Sequence, residues 1–272
     1  MKVVIPSAGF GTRNLPVTKV VPKELFPIYD KPAIHYVVEE CVKSGIKEII
    51  FVLSEDKLRI LDYFGKNDKL ENFLRQKGKI DLLKPLQIFD DIKIDYVIQK
   101  EQLGLGDAVL QSKEKIEDEN FCVALPDDII VSDKPALYEL IETYKKLERK
   151  SEITGVVGLF KIPKKELFKY GVVSGKMERK DTILIEKIVE KPAPENAPSN
   201  LAIVGRYVFS RKVFTLLEKE PFDESGEIQL AGAIGKAPKI FGKVMSGKWF
   251  DVGSKDGFSK AVNFFAKGLD DS

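Results

Sequence analysis

The sequence predicts an α/β protein with a sheet built through parallel, right-handed crossovers, and three observations carry that prediction. Through residue 150 or so, apolar strand-like runs alternate with stretches of helical periodicity. EIIFVL has no polar face, as expected of a strand covered on both sides. After about Ser151 the texture changes to successive strand-like runs joined by short loops, with no internal repeat and no low-complexity linker.

In chain order, Val3-Val4-Ile5 opens the first strand and leads into PSAGFGTRNLPVTKVVPKELFP, which is too irregular for one helix or strand. Asp30 is placed to cap, and Pro32 to begin, a helix whose apolar residues Ile34, Val37, Val38, Cys41 and Val42 fall at i, i+3, i+4 spacing before Gly45 stops it. EIIFVL follows, then a helical stretch through Leu58, Leu61 and Phe64 and a polar helical excursion from about Asn67 to Asp91. IDYVIQ and FCVALP read as strands separated by a helix beginning near Gly106. ITGVVGLF, YGVVSG, TILIEKIVEKP and LAIVGRYVFS supply the strands of the second half, with PAPENAPSN as a loop between two of them. GFSKAVNFFAKG closes the chain as a helix whose Phe258, Val262 and Phe265 pack either on the protein's own core or on a neighbour.

The 272 residues suffice for one large domain or two small ones. Continuity of the pattern favours one domain over 1–272, with 151–253 as a substrate-facing extension of the 1–150 part and 254–272 forming the terminal helix. Lys+Arg 44 against Asp+Glu 42 leaves a formal charge of +2, too near neutral for a nucleic-acid binder. No apolar run approaches the ~18 residues of a membrane span, and the N-terminus lacks a signal-peptide core, so no membrane partner and a cytoplasmic location are expected. Cys41 and Cys122 sit inside apolar patterns and are too few for a disulfide framework. His35, the single histidine, is either a general base or a structural residue; without it no histidine-dependent triad is available.

The glycine loop admits three readings. A Walker A loop requires G-x-x-x-x-G-K-[ST], which does not follow this strand. A dinucleotide fingerprint requires an acid about 20 residues on; Glu55 is too far, and the four prolines of residues 6–27 forbid an immediate helix. The third reading is a loop that wraps a nucleoside triphosphate, with glycines admitting main-chain N–H groups to the ligand and Arg13 and Lys23 supplying charge.

The run from Ala8 to Pro27, A-G-x-G-T-R-x-x-P…P-K-E-x-x-P, resembles the signature of sugar-1-phosphate nucleotidylyltransferases. Glutamate after the lysine resembles the bacterial UTP–glucose-1-phosphate uridylyltransferase branch. The resemblance recurs in order at QKEQLGLGDAV, LPDD, KYGVV, VEKP, APSNLAIVGRY, GEIQL and FDVGS. It implies a Rossmann-like, three-layer nucleotide-diphospho-sugar transferase fold with a mixed, mainly parallel central sheet. The implied reaction joins UTP and glucose 1-phosphate to give UDP-glucose and pyrophosphate, with Mg²⁺ as cofactor and a homo-oligomer, dimer or tetramer, as the assembly. Transfer of another nucleotide or to another sugar phosphate, and a non-catalytic nucleotide-binding subunit, are the alternatives.

The attacking sugar-phosphate oxygen is already anionic near neutral pH, which suits a protein with one histidine; positioning and charge neutralisation are the demands that remain. By resemblance Arg13 and Lys23 serve the triphosphate and Lys191 the sugar phosphate, unless the two lysines are ordinary exposed loop residues. Asp127, at the carboxyl end of the strand FCVAL, and Asp251 in FDVGS are the implied metal ligands. Asp128 is either a nucleotide-site residue or a turn-forming cap. Ala8, Gly9, Gly11, Thr12 and Glu24 belong to the nucleotide loop, and Gln99 and Gly104 close on the base edge unless Gln99 merely ends a strand. Gly171 and Glu190 face the hexose, and Asn200 either contacts sugar or orders its turn. One departure stands out: relatives commonly continue GEIQL with Thr-Asp-Ala, whereas this chain has Ala231-Gly232-Ala233, so Gly232 replaces the usual aspartate.

Overall fold

The computed structural model describes residues 1–267. Strand β1 (Val3–Pro6) is followed by the glycine loop, helix α1 (Ala33–Lys43) and β2 (Glu48–Leu53). Helices α2 (Arg59–Phe64) and α3 (Asp68–Gln76) lead to β3 (Lys93–Ile98). Next come α4 (Gly104–Gln111), β4 (Asn120–Ala124), β5 (Asp128–Val131), α5 (Ala136–Glu148) and β6 (Gly155–Lys161). The second half adds β7 (Gly171–Arg179), β8 (Thr182–Glu190), β9 (Leu201–Ser210), α6 (Lys212–Leu217), α7 (Leu230–Gly235), β10 (Ile240–Val244), β11 (Lys248–Asp251) and α8 (Lys255–Lys267).

Nine strands form one sheet in the order β3-β2-β1-β4-β9-β6-β10-β8-β7. Successive residues of a strand point to opposite faces, and the central strands are apolar on both. Val3 and Ile5 join one core cluster while Val4 joins another. Ile49, Phe51 and Leu53 divide from Ile50 and Val52 in the same way. Helices α1 and α5 cover the first face, and α4, α6 and α7 the second. The alternation of apolar runs with helical periodicity is therefore the direct cause of this layering.

The expectation of a mainly parallel sheet needs correction. The β3-β2-β1-β4 half is parallel throughout, but beyond it only β6 and β10 pair in parallel. Five pairings of the large sheet are antiparallel against four parallel ones. Only β7 and β8 are joined by a short loop, which permits nothing but an antiparallel return; the other four antiparallel pairings join strands that are not consecutive in the chain.

A separate two-stranded sheet pairs β5 with β11, setting Asp251 opposite Asp128. This pairing brings the FDVGS run to the carboxyl end of β4. Helix α8 packs Phe258, Val262 and Phe265 against Ile28, Ala33, Ile129 and Val252, so it closes the protein's own core. Residues 268–272, assigned to the terminal helix from the sequence, lie outside the described residues.

Two local expectations shift. Pro32, not Asp30, takes the cap position of α1, and Asp30 accepts a hydrogen bond from the Tyr36 hydroxyl at 3.1 Å. The excursion after Asn67 is a short helix capped by Asn67, whose Oδ1 accepts from the Leu70 N–H at 3.0 Å, and then a 3-10 turn over Ile80–Leu86.

Candidate active site

The glycine loop leaves the carboxyl end of β1 with Ala8 buried and Gly9 in open space. Gly11 has φ +65°, a conformation that disfavours any side chain, and opens a 3-10 turn over Thr12–Asn14. The Thr18 hydroxyl donates to the Gly11 carbonyl at 3.0 Å and folds the loop back on itself. A Cβ at Gly11 would stand 3.0 Å from the Thr18 methyl, and the Lys23 stem passes the same glycine at contact distance.

The Lys23 ammonium donates to Asp127 Oδ2 at 2.5 Å, joining the glycine loop to the carboxyl end of β4. Burial works against the lysine's charge, but Asp127, Glu24 and Asp251 outweigh it and hold its pKa above the ordinary lysine range. Burial likewise opposes ionisation of Asp127; the charges of Lys23 and Arg13 overcome it and keep that carboxyl below its usual range. Asp251 goes the other way, raised by burial and by the neighbouring Asp127. Tyr170 donates its hydroxyl to Asp251 Oδ2 at 3.2 Å.

Gly253 shows how near the two carboxylates come. A Cβ there would lie 2.6 Å from Asp127 Oδ2 and 3.2 Å from Asp251 Oδ1, so one small space is bordered by both. Among the described residues no group of three or more His, Cys, Asp or Glu side chains is arranged to enclose a metal. Two carboxylate oxygens beside a polyanion site suit a hard cation that completes its shell with water and phosphate oxygens.

Asp128 lines the same cavity as Arg13, Asp127 and Asp251 but departs from a carboxylate free to meet a nucleotide. Its Oδ1 accepts from Trp249 Nε1 at 2.6 Å and its Oδ2 from the Gly205 N–H at 3.0 Å. Both oxygens are thus spent tying β11 and β9 together. Burial, with Asp127 and Asp251 nearby, pushes this carboxyl up to about 7. Glu24 also departs: it is 1 % exposed and turned inward, where both oxygens accept from the Lys57 ammonium at 2.9 and 3.0 Å. A carboxylate that close to Lys23 would repel phosphate, and burial against a lysine removes the conflict.

A cavity of about 200 Å³ opens between this carboxylate cluster and the second half of the chain. Arg13, Asp127, Tyr170, Gly171, Glu190 and Asp251 are among its lining residues. Gly171 pairs with Glu190 across β7 and β8, and a Cβ at Gly171 would stand 3.0 Å from the Glu190 carboxylate. Lys191 follows with φ +43°, its N–H bonded to the Tyr170 carbonyl at 3.1 Å and its half-exposed ammonium 3.5 Å from Glu190. It stands next to the lining rather than in it. Asn200 is exposed and lies outside the lining, and its main-chain carbonyl accepts from the Ile162 N–H at 3.1 Å.

Gln99 and Gly104 are outside the lining; Gln99 Nε2 donates to the Gly104 carbonyl at 3.3 Å, and Leu105, the next residue, lines the cavity. His35 is elsewhere: 4 % exposed, edge-on to Phe89 and with Nδ1 2.9 Å from the Tyr63 hydroxyl, it is structural.

Sequence reasoning missed Arg206. This guanidinium is fully buried, pairs with Glu40 at 2.8 Å, and donates to the carbonyls of Leu125, Gly205 and Asp128. It therefore fixes the main chain on both sides of Asp127. An arginine inside the apolar run LAIVGRYVF is the signal that marks it, because an unpaired charge does not survive in such a strand.

Over residues 2–268 the sequence matches the nucleotidyl transferase family. The chain belongs to that family. A UTP–glucose-1-phosphate uridylyltransferase of Streptococcus pneumoniae is 42 % identical over 267 residues, covering 95 % of this chain and 88 % of that protein. Among solved structures, an apo UDP-glucose pyrophosphorylase superposes with a TM-score of 0.91 at 35 % identity, covering 98 % of each chain. A UTP-bound enzyme of the same description from Acinetobacter baumannii gives 0.88 at 37 % identity, covering 97 % of this chain and 92 % of that one.

Within this nucleotidyl transferase, Gly232 now has an explanation. The Glu220 carboxylate lies against Gly232 where a side chain would begin and is bonded by Lys236 at 2.8 Å. An acid three residues beyond α6 occupies the space where a residue 232 side chain would begin.

Proposed function

We propose that this nucleotidyl transferase moves the uridylyl group of UTP to glucose 1-phosphate, giving UDP-glucose and pyrophosphate. The observation that carries the reading is the convergence of Arg13, Lys23, Asp127 and Asp251 on one side of a cavity whose other side holds Gly171 and Glu190. A sugar-phosphate oxygen forms a bond to the α-phosphorus of UTP as the bond to the β-phosphate oxygen breaks, and pyrophosphate leaves with that electron pair. No residue has to remove a proton from the nucleophile, and no histidine is within reach of the cavity.

Lys23 and Arg13 neutralise triphosphate charge, while Lys191, beside Glu190, holds the sugar phosphate. Main chain at Ala8, Gly9, Gly11 and Thr12 wraps the nucleotide. Gln99 and Gly104 read the base, and Glu190 accepts from hexose hydroxyls over the bare Gly171. Asp127 and Asp251 hold Mg²⁺, which when bound supplies charge neutralisation on crowded phosphate oxygens. The proposal includes one domain over 1–272 divided as the sequence suggests, in a three-layer, Rossmann-like arrangement supported by core clusters on both faces of the sheet. It also includes a homo-oligomer, resting on the family resemblance, and a cytoplasmic location, consistent with two free, buried cysteines.

A matrix of nucleoside triphosphates against sugar 1-phosphates, read by pyrophosphate release, tests the reading. The UTP and glucose 1-phosphate pair is expected to give the highest kcat/KM. A higher value for a thymidine, cytidine or adenosine triphosphate, or for another hexose phosphate, rejects the substrate assignment; no release with any pair rejects catalysis.

A further inference from the structure

Gln99 is 4 % exposed and Asp107 5 %, and the two side chains bond each other. Gln99 Nε2 donates to Asp107 Oδ2 at 2.7 Å and to the Gly104 carbonyl at 3.3 Å, which uses both of its hydrogens. The other Asp107 oxygen accepts from Gln111 Nε2 at 3.0 Å. A carboxylate and a carbonyl only accept. Turning the Gln99 amide over would set its oxygen against two acceptors, so the orientation follows from the partners and not from the resemblance of oxygen to nitrogen. Among the described residues no donor bonds Gln99 Oε1.

Asp107 is held in place by its helix. The Gly106 N–H donates to the Ile228 carbonyl and the Ile228 N–H to the Leu103 carbonyl, both at 2.8 Å. A Cβ at Gly106 would stand 2.6 Å from the Ile228 carbonyl, so the two glycine positions let α4 seat directly on the GEIQL segment.

We propose that Asp107 is a positioning residue that locks the Gln99 amide with its oxygen toward the base and so sets the preference for uracil over cytosine. Uracil carries a donor at N3, which the Gln99 oxygen accepts. Cytosine carries a lone pair there, which meets that oxygen with no proton between them. The lock makes the mismatch unavoidable, because a free amide would rotate and donate instead. This inference rests on Gln99 reading the base, and the experiment separates the two.

The variants Asp107→Asn, Asp107→Ser and Gln99→Met are compared with the wild type for kcat/KM with UTP and with CTP. Asparagine and serine each both donate and accept, so they remove the shorter of the two acceptor-only contacts, 2.7 Å against 3.3 Å to the Gly104 carbonyl, and loosen the lock without emptying the site. Each is expected to lower the UTP-to-CTP ratio by about tenfold or more. The change should reside in the nucleotide KM, with the KM for glucose 1-phosphate retained, a split that general loosening of the fold does not produce. Gln99→Met should lower the ratio as well. If Gln99→Met lowers it and the Asp107 variants keep the wild-type ratio, the positioning role is overturned while base reading by Gln99 stands. If Gln99→Met also keeps it, base reading fails and takes this inference with it. Should neither Asp107 variant fold, N3-methyl-UTP decides with the wild type: it lacks the N3 donor and should bind about tenfold or more weakly, and binding equal to UTP overturns the lock.

Discussion

Replacing Lys23 by alanine is expected to lower kcat by about 10²–10³-fold, the range typical of losing one preorganised donor to developing charge. The geometry argues for an effect in turnover more than in binding alone. The Lys23 stem lies against the bare Gly11, its ammonium is already seated on Asp127, and surrounding carboxylates keep it charged despite burial. An ammonium carries three hydrogens, so one stays on Asp127 while the others meet charge as it builds on the phosphates. The fold should survive, because Lys23 is not one of the residues that tie the strands together and the loop keeps its own Thr18–Gly11 bond and the Glu24–Lys57 pair. Steady-state pyrophosphate release, with circular dichroism to check folding, measures this. Turnover near wild type in a folded variant would remove Lys23 from the mechanism.

Asp127→Asn and Asp251→Asn are expected to raise the Mg²⁺ concentration for half-maximal rate by about tenfold or more, and to lower kcat. Both carboxylates border the space beside Gly253, and each substitution removes one negative charge while keeping the side-chain shape. Asp128→Asn provides the contrast. Its two oxygens accept from Trp249 and Gly205, so an amide nitrogen in place of either leaves a donor facing a donor. That variant should lose about 1–3 kcal/mol of stability with an unchanged Mg²⁺ requirement. A magnesium titration of the rate distinguishes the three, and identical requirements in wild type, Asp127→Asn and Asp251→Asn would reject the shared metal site.

Much of this arrangement was legible in the sequence, for physical reasons that differ by region. Strands β1, β2 and β4 are apolar runs whose burial on both faces leaves no other use for them, and Asp127 falls at the end of one of them. The glycine loop was readable because φ > 0 and crowded cations each require particular residue types. Strands β5, β10 and β11 were not, since DIIV and KWFD are only partly buried and IFGKV carries a glycine and a lysine in its apolar run. Parallel predominance failed because strand direction in the second half depends on which distant strands meet. Glu24 and Asp128 share that cause: motif neighbours along the chain, they point to partners at positions 57, 205 and 249 that no local pattern announces. Arg206 is marked only by its charge inside an apolar strand, and Asp107 looks like an ordinary helix acid until its partners are seen.

The account holds that the protein orients two anions for a single displacement and contributes no nucleophile of its own. Stereochemistry at the transferred phosphorus tests this directly. A single diastereomer of the α-phosphorothioate of UTP, turned over with glucose 1-phosphate, is expected to give product of inverted configuration at that phosphorus. Retention would require two successive displacements through a nucleotidyl group bonded to the protein, and would contradict the assignment of Lys23, Asp127, Asp251 and Lys191 as groups that only hold and neutralise.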